Sequence, residues 1–172
     1  RDRAYSSQAT VKLELTVMDE AGKERASTEV DNLHPGGQTN LWDGLHAGLQ
    51  VLNDGADATH MAAVLLLTDG QPNVIPPRGH VPMLQQYKDE HDLICSISTF
   101  GFGYNLDSAR LQELAIEGQG QYAFIPDGSF VGTAFVNATS NILSTAARQL
   151  VLKLSNVGDV DDVLGLAEGD GA

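Results

Sequence analysis

The chain is poor in several features on which whole classes of protein depend. Aromatic residues make up 6% of its 172 residues, and it has a single cysteine, Cys95. One cysteine excludes an internal disulfide framework, and the alternating, strand-like run around it predicts a buried, inert thiol. No stretch approaches the roughly 20 apolar residues that a membrane-spanning helix needs, so we expect no membrane insertion in this segment.

Positive charge is also scarce. Ten Lys and Arg stand against 23 Asp and Glu, which gives a formal net charge of −13. Nucleic acids and anionic membranes are bound through basic patches, so this balance argues against both as the main partner. Signatures of common enzymes are missing as well: there is no Walker A lysine, no Gly-x-Ser-x-Gly and no His-Glu-x-x-His.

The sequence does contain a regular alternation of predicted strands and helices. Residues 61–68 form an apolar run that ends in Asp69 and Gly70. Such a run is typical of a central strand in a parallel sheet covered on both faces. The alternation of elements predicts an α/β fold, with a doubly wound, mainly parallel sheet and helices on both faces. Further strands are predicted at 10–17, 94–100, 121–125 and 150–154.

Helix ends are marked by residues with capping chemistry. Asp19 and Asp107 are predicted N-caps, because a short side-chain oxygen can accept from the unpaired N–H groups of the first turn. Gly118 is predicted to hold the left-handed position at the end of the helix that begins after Asp107.

The composition divides the chain in two. Residues 1–150 carry the strands and helices of one predicted domain, whereas residues 151–172 are rich in Gly and Asp. We expect the second part to be an acidic linker or the start of a further domain. The chain begins at Arg1, and residues 4–7 have the pattern of the end of a strand whose start is absent, so we expect this chain to be a fragment that lacks its N-terminus.

Two oxygen-bearing residues stand at loops that the fold would bring together. Asp69 ends the predicted central strand, and ligands of open α/β sheets bind outside the carboxyl ends of the strands. Thr39 follows a Pro-Gly-Gly loop in which the backbone can approach a ligand closely. Oxygen ligands suit Mg²⁺, Mn²⁺ or Ca²⁺ and not zinc. The alternative is that Thr39 only caps its helix and Asp69 only caps the loop after the strand.

The motifs at these positions resemble a known family. Residues 33–40, Leu-His-Pro-Gly-Gly-Gln-Thr-Asn, and residues 65–70, Leu-Leu-Leu-Thr-Asp-Gly, resemble the second and third metal-site motifs of the von Willebrand factor type A domain. Residues 97–103 and 119–127 look like that family's next two strands. The resemblance covers roughly residues 4–150.

The resemblance implies a Rossmann-like fold with a metal-ion-dependent adhesion site at the top of the sheet. Thr39 and Asp69 match the family's threonine and aspartate ligands, whereas the family's Asp-x-Ser-x-Ser loop has no counterpart in this chain. The implied function is an adhesion-type protein-interaction module, not an enzyme, in which a cation binds an acidic group of a protein partner. The surrounding rim is predicted to consist of Trp42, Gln71, Pro72 and Asn73.

Two other functions stay open on the sequence. The chain is either a degenerate, metal-free scaffold of the same fold within a larger multidomain protein, or an accessory domain of an enzyme whose catalytic part lies elsewhere.

Overall fold

The structure is a computed structural model that describes residues 3–5, 8–34, 38–55, 60–91 and 93–145. Within these residues, five strands and five α-helices follow one another, with a short 3-10 turn at Gly128–Phe130. The strands are β1 (Arg3–Tyr5), β2 (Ala9–Val11), β3 (Ala62–Thr68), β4 (Cys95–Phe102) and β5 (Gln119–Ile125). The helices are α1 (Glu20–Asp31), α2 (Leu41–Gly55), α3 (His80–His91), α4 (Ser108–Glu117) and α5 (Val131–Ser144).

The larger sheet is parallel and has the strand order β3-β4-β5. The smaller sheet is an antiparallel pair of β1 and β2. Helix α2 contacts β1, β2 and β3, so it joins the two sheets. None of the described helices is long and apolar enough to span a bilayer.

Apolar side chains cover both faces of the parallel sheet. One core cluster lies between the sheet and helices α2, α3 and α4, and includes Leu45, Leu84, Ile97 and Leu114. A smaller cluster lies on the opposite face, where Ala138 of α5 packs with Phe100 and Ile125. The predicted α/β fold with helices on both faces is therefore confirmed, and Cys95 is buried in the larger cluster.

The predicted strand at 10–17 is wrong over most of its length. Only Ala9–Val11 is a strand, and the pairing with β1 ends where Arg3 meets Val11. Beyond Val11 no described strand continues the pairing. The alternating apolar residues no longer share one environment, because Leu13 is buried whereas Val17 is 80% exposed. The predicted strand at 150–154 and the predicted second segment at 151–172 lie outside the described residues.

Both predicted N-caps have the expected hydrogen bonds. The Asp19 carboxylate accepts from Gly22 N–H at 2.8 Å, and the Asp107 carboxylate accepts from Arg110 N–H at 3.1 Å.

Gly118 ends α4 as predicted, but it does not have the predicted left-handed conformation. Its φ is −78°, and the left-handed residue is Gln119, at φ 52°. Gly118 is required for space instead: a Cβ at this position would lie 2.4 Å from Ile97 Cβ and 3.0 Å from Leu114 O. The end of α4 therefore passes directly against β4.

This close approach predicts opposite effects for one substitution at two glycines. Gly118→Ala should lower the free energy of unfolding by about 1–3 kcal/mol, because the added methyl collides with Ile97. Gly132→Ala in α5 should raise it by up to about 1 kcal/mol, since nothing lies within 4 Å and alanine favours the helix. Urea denaturation of the two variants measures both values, and equal effects would contradict this account of Gly118.

His80 is a buried polar residue at the start of α3. Its Nε2 has no hydrogen-bond partner among the described residues. Burial, reinforced by the nearby positive charge of Arg110 and opposed by Asp107, lowers the pKa of His80 from 6.5 to about 4. Folding thus keeps this imidazole neutral at pH values where an unfolded chain would protonate it.

The shift predicts a loss of stability in acid. The unfolded chain binds this proton below pH 6.5 and the folded chain only below about 4, so the free energy of unfolding should fall across that window. The loss amounts to about 3 kcal/mol once the pH is below both values. His80→Leu should flatten this part of the pH profile, because it removes the group whose pKa folding lowers. Denaturant midpoints from pH 7 to pH 4 provide the measurement.

Candidate functional site

The candidate site lies at the carboxyl end of β3, where two loops meet. Asp69 and Gly70 directly follow β3, and Thr39 precedes α2. A Cβ built on Gly70 would lie 3.8 Å from Thr39 Oγ1. The hydroxyl of Thr39 therefore stands beside the turn that carries the exposed carboxylate of Asp69.

Asn73 ties the two loops together. Thr39 N–H donates to Asn73 Oδ1 at 2.9 Å, and Asn73 N–H donates to Thr39 O at 3.2 Å. Two hydrogen bonds between the same two residues fix both the distance and the relative orientation of the loops. The loop after β3 is therefore held against the start of α2 by Asn73.

Neighbours of Thr39 and Asp69 make hydrogen bonds that close the turns at these two loops. Asn40 Oδ1 accepts from Asp43 N–H at 3.2 Å and so caps the first turn of α2. Thr68 Oγ1 donates to Gly70 O at 3.2 Å and closes the turn after β3. The role of Thr39 and Asp69 as cation ligands remains a prediction.

The four predicted rim residues have different surroundings. Trp42 is half-buried, packs against the larger core cluster and stacks on His46 with ring centroids 5.8 Å apart. Gln71 is exposed, Pro72 is half-buried, and Asn73 is exposed but hydrogen-bonded to Thr39. Their contact with a partner remains a prediction.

Thr39 and Asp69 carry the type of oxygen ligand that a hard cation prefers, but two side chains are too few to complete its coordination shell. A hydroxyl and a carboxylate are the oxygen ligands that Mg²⁺ and Ca²⁺ prefer. Within the described ranges, no three His, Cys, Asp or Glu residues come together as a metal cluster. Residues 35–37, the Pro-Gly-Gly of the second motif, lie outside those ranges. Thr39 and Asp69 would therefore supply only part of an octahedral shell.

The sequence does not predict two of the roles seen near the site. It predicts Asn73 as a rim residue but not its hydrogen bonds to Thr39, and it predicts no role for Asp43. The Asp43 carboxylate accepts a hydrogen bond from Ala9 N–H, which connects the start of α2 to the small sheet. Both bonds join positions 34 residues apart, so no local pattern indicates them.

Comparison with known families identifies the fold. The model of the von Willebrand factor type A domain matches residues 4–149. The chain belongs to this family. The resemblance drawn from the two loop motifs is thereby confirmed, and a search of curated proteins finds no match.

Several solved structures share the fold at low sequence identity. The von Willebrand factor type A protein from Catenulispora acidiphila is 21% identical with a TM-score of 0.71, and the match covers 82% of this chain and 33% of that one. BatB from Bacteroides thetaiotaomicron is 13% identical with a TM-score of 0.64, covering 83% and 78%.

Proximal thread matrix protein 1 from the mussel byssus, solved with a zinc-occupied MIDAS motif, is a further match. It is 20% identical with a TM-score of 0.58, and the match covers 81% of this chain and 33% of that one. At these identities the likeness concerns the fold alone. This chain spans about a third of the length of the Catenulispora and mussel proteins.

The tie between the two loops predicts a local effect of Asn73→Ala. The backbone amide of Thr39 should exchange with deuterium faster, because its acceptor at 2.9 Å is removed. The free energy of unfolding should fall by only about 1 kcal/mol. Gln71→Ala, at an exposed position in the same loop, is the matched control, and equal exchange at Thr39 in both variants would contradict the proposed tie.

Proposed function

We propose that the chain is an adhesion-type interaction module with a partial metal-ion-dependent adhesion site. Thr39 and Asp69 would hold a divalent cation, Mg²⁺ or else Mn²⁺ or Ca²⁺. An acidic side chain of a protein partner would take a further position of its shell. The paired hydrogen bonds between Thr39 and Asn73 carry the proposal, because they hold the threonine loop against the loop that begins at Asp69.

Charge explains why such binding would depend on a cation. The chain has a net charge of −13, and the Asp69 carboxylate is exposed at the end of β3. An acidic partner would be repelled from this surface without a cation. A divalent ion would supply the positive centre that both carboxylates require.

The rim residues would orient the partner. Gln71 offers an exposed amide next to Asp69, and Pro72 keeps the loop backbone rigid between Gln71 and Asn73. Trp42 lies in the first turn of α2 and presents an indole that is only partly covered by the core. Because no general acid, base or nucleophile is assigned at this site, the proposal is one of binding and not of catalysis.

A metal-free scaffold is the second candidate. It is favoured by the small donor set, since two side chains leave most positions of an octahedral shell to water. In that case Asn73 would serve to brace the loops, and the chain would act through its fold as part of a longer protein.

Titration with Mn²⁺ separates the two candidates. The wild-type chain should bind with a dissociation constant on the order of 1 mM, at the weak end of protein cation sites. Asp69→Asn and Thr39→Val should each weaken binding, the first by at least about tenfold because it removes a charge. Electron paramagnetic resonance of free Mn²⁺ gives the bound fraction.

The matched control is Asp127→Asn. Asp127 is also an exposed carboxylate just after a parallel strand, but Ser129 N–H donates to it at 2.8 Å, and the strand that it follows, β5, is separated from β3 by β4. Equal Mn²⁺ binding by wild type, Asp69→Asn and Asp127→Asn would favour the metal-free scaffold. As a second readout, a glutamate-containing peptide should be retained with Mn²⁺ and released by chelator, and its glutamine counterpart should not be retained.

A further inference from the structure

The outer edge of β5 presents backbone groups that β4 does not use. The strand order β3-β4-β5 ends at this edge, and none of the described strands lies beyond it. Gly103 N–H donates to Ile125 O at 2.9 Å, so the carbonyl of Ile125 points toward β4. Pairing with β4 is regular from Tyr122 to Ile125, and the direction of backbone groups alternates along a strand. The N–H and C=O groups of Tyr122 and Phe124 therefore point outward.

This edge lacks the features that prevent two strands from pairing. Exposed edges are commonly protected by charged side chains or by proline. Between Gln119 and Ile125 there is neither a charged residue nor a proline. Phe124 is 44% exposed, and Tyr104, which is 84% exposed, packs edge-to-face on its ring with centroids 5.5 Å apart. The edge thus combines outward backbone groups with exposed aromatic surface.

The distribution of charge favours a second copy of the chain as the partner. Among residues 118–145 only Asp127 is charged, whereas 19% of all residues are charged and the net charge is −13. Glu117, at the end of α4, is engaged toward α3, where Gln85 Nε2 lies 2.9 Å and Lys88 Nζ 3.9 Å from its carboxylate. Two copies of an acidic chain repel each other, but at this edge they would meet without opposed charges. A basic partner would gain little here, since Asp127 is the one carboxylate that this segment offers.

We propose that two copies of the chain pair through the outer edges of β5, antiparallel, about a two-fold axis at Ala123. In this register Tyr122 of each copy lies opposite Phe124 of the other, so the outward N–H and C=O groups of both residues are paired. Tyr122 packs with the larger core cluster and Ala123 with the smaller one, so Tyr122 and Phe124 share one face of the sheet. Each Tyr122 ring would therefore lie beside a Phe124 ring, an arrangement that stabilises paired strands.

The pairing would join the two parallel sheets into one continuous sheet. Because the two β5 strands run in opposite directions, the carboxyl ends of the two β3 strands would also point in opposite directions. The dimer would then present its two candidate sites to partners on opposite sides. This consequence rests on the proposed function, whereas the pairing itself does not.

Sedimentation of the full chain is the first test. The contact is short, so we expect a monomer–dimer equilibrium with a dissociation constant on the order of 50 μM. Added NaCl should raise the fraction of dimer, because it screens the repulsion between two acidic chains. A dimer held by ion pairs would respond in the opposite way.

Hydrogen exchange locates the contact. The amides of Tyr122 and Phe124 should exchange at least about tenfold more slowly at about 500 μM protein than at about 5 μM, because only the dimer gives them an acceptor. The amide of Ala123, which points toward β4, should be protected at both concentrations.

A cysteine at the proposed axis tests the register. Ala123→Cys should form a disulfide-linked dimer under mild oxidation, since the two Cα atoms at the axis would lie about 5 Å apart. Gln121→Cys is the matched control: its two copies would lie about 13 Å apart along the strands, beyond the reach of a disulfide. Cys95 is buried and present in both variants.

Three outcomes would overturn the proposal. One is a chain that stays monomeric up to about 500 μM at high salt. Another is equal protection of Tyr122 and Phe124 at all concentrations, which would show that the chain covers this edge itself. The third is equal cross-linking of Ala123→Cys and Gln121→Cys, which would exclude the register. Mn²⁺ binding by the monomer does not depend on any of these results.

Discussion

The apolar stripe of α2 is the contact on which the rest of the molecule depends. Leu41, Leu45 and Leu49 are fully buried and recur every four residues, so one face of the helix lies against the larger core cluster. The same helix touches both sheets, and its first turn follows Thr39 directly. Its packing therefore determines where the small sheet stands and where the threonine loop meets the end of β3. The relative position of the two loops at the candidate site thus depends on the packing of α2 against the larger core cluster.

The elements that the sequence predicts well are those whose apolar pattern is decided by one local environment. The run at 61–68 forms β3 within one residue of the predicted start, and its side chains pack with apolar clusters on both faces of the sheet. Asp19 and Asp107 cap their helices through bonds to residues three positions away, which a short motif can specify. The prediction of a strand at 10–17 fails beyond Val11, because a strand needs a neighbouring strand to pair with, which the alternation of its own residues does not specify.

The candidate site likewise contains some residues whose place the sequence predicts and others whose role it does not. Thr39 and Asp69 stand in motifs that a family resemblance makes visible, and the topology of a parallel sheet brings them to one edge. Asn73 and Asp43 act on positions 34 residues away. Their amide and carboxylate are common in loops and first turns, so nothing in the local sequence separates a bracing role from a solvated one. Gly118 makes a similar point, since its requirement comes from Ile97, a residue in another element.

The only tryptophan of the chain gives the molecule an optical probe at a useful place. The ring of Trp42 is the first in a row that continues through His46 and Tyr87 to His91, with successive centroids 5.8, 5.2 and 4.2 Å apart. This row crosses from the first turn of α2 to the last turn of α3. The fluorescence of Trp42 would report the separation of these two helices. A change of this fluorescence before the loss of the helical circular dichroism signal would show that this side of the domain opens before global unfolding.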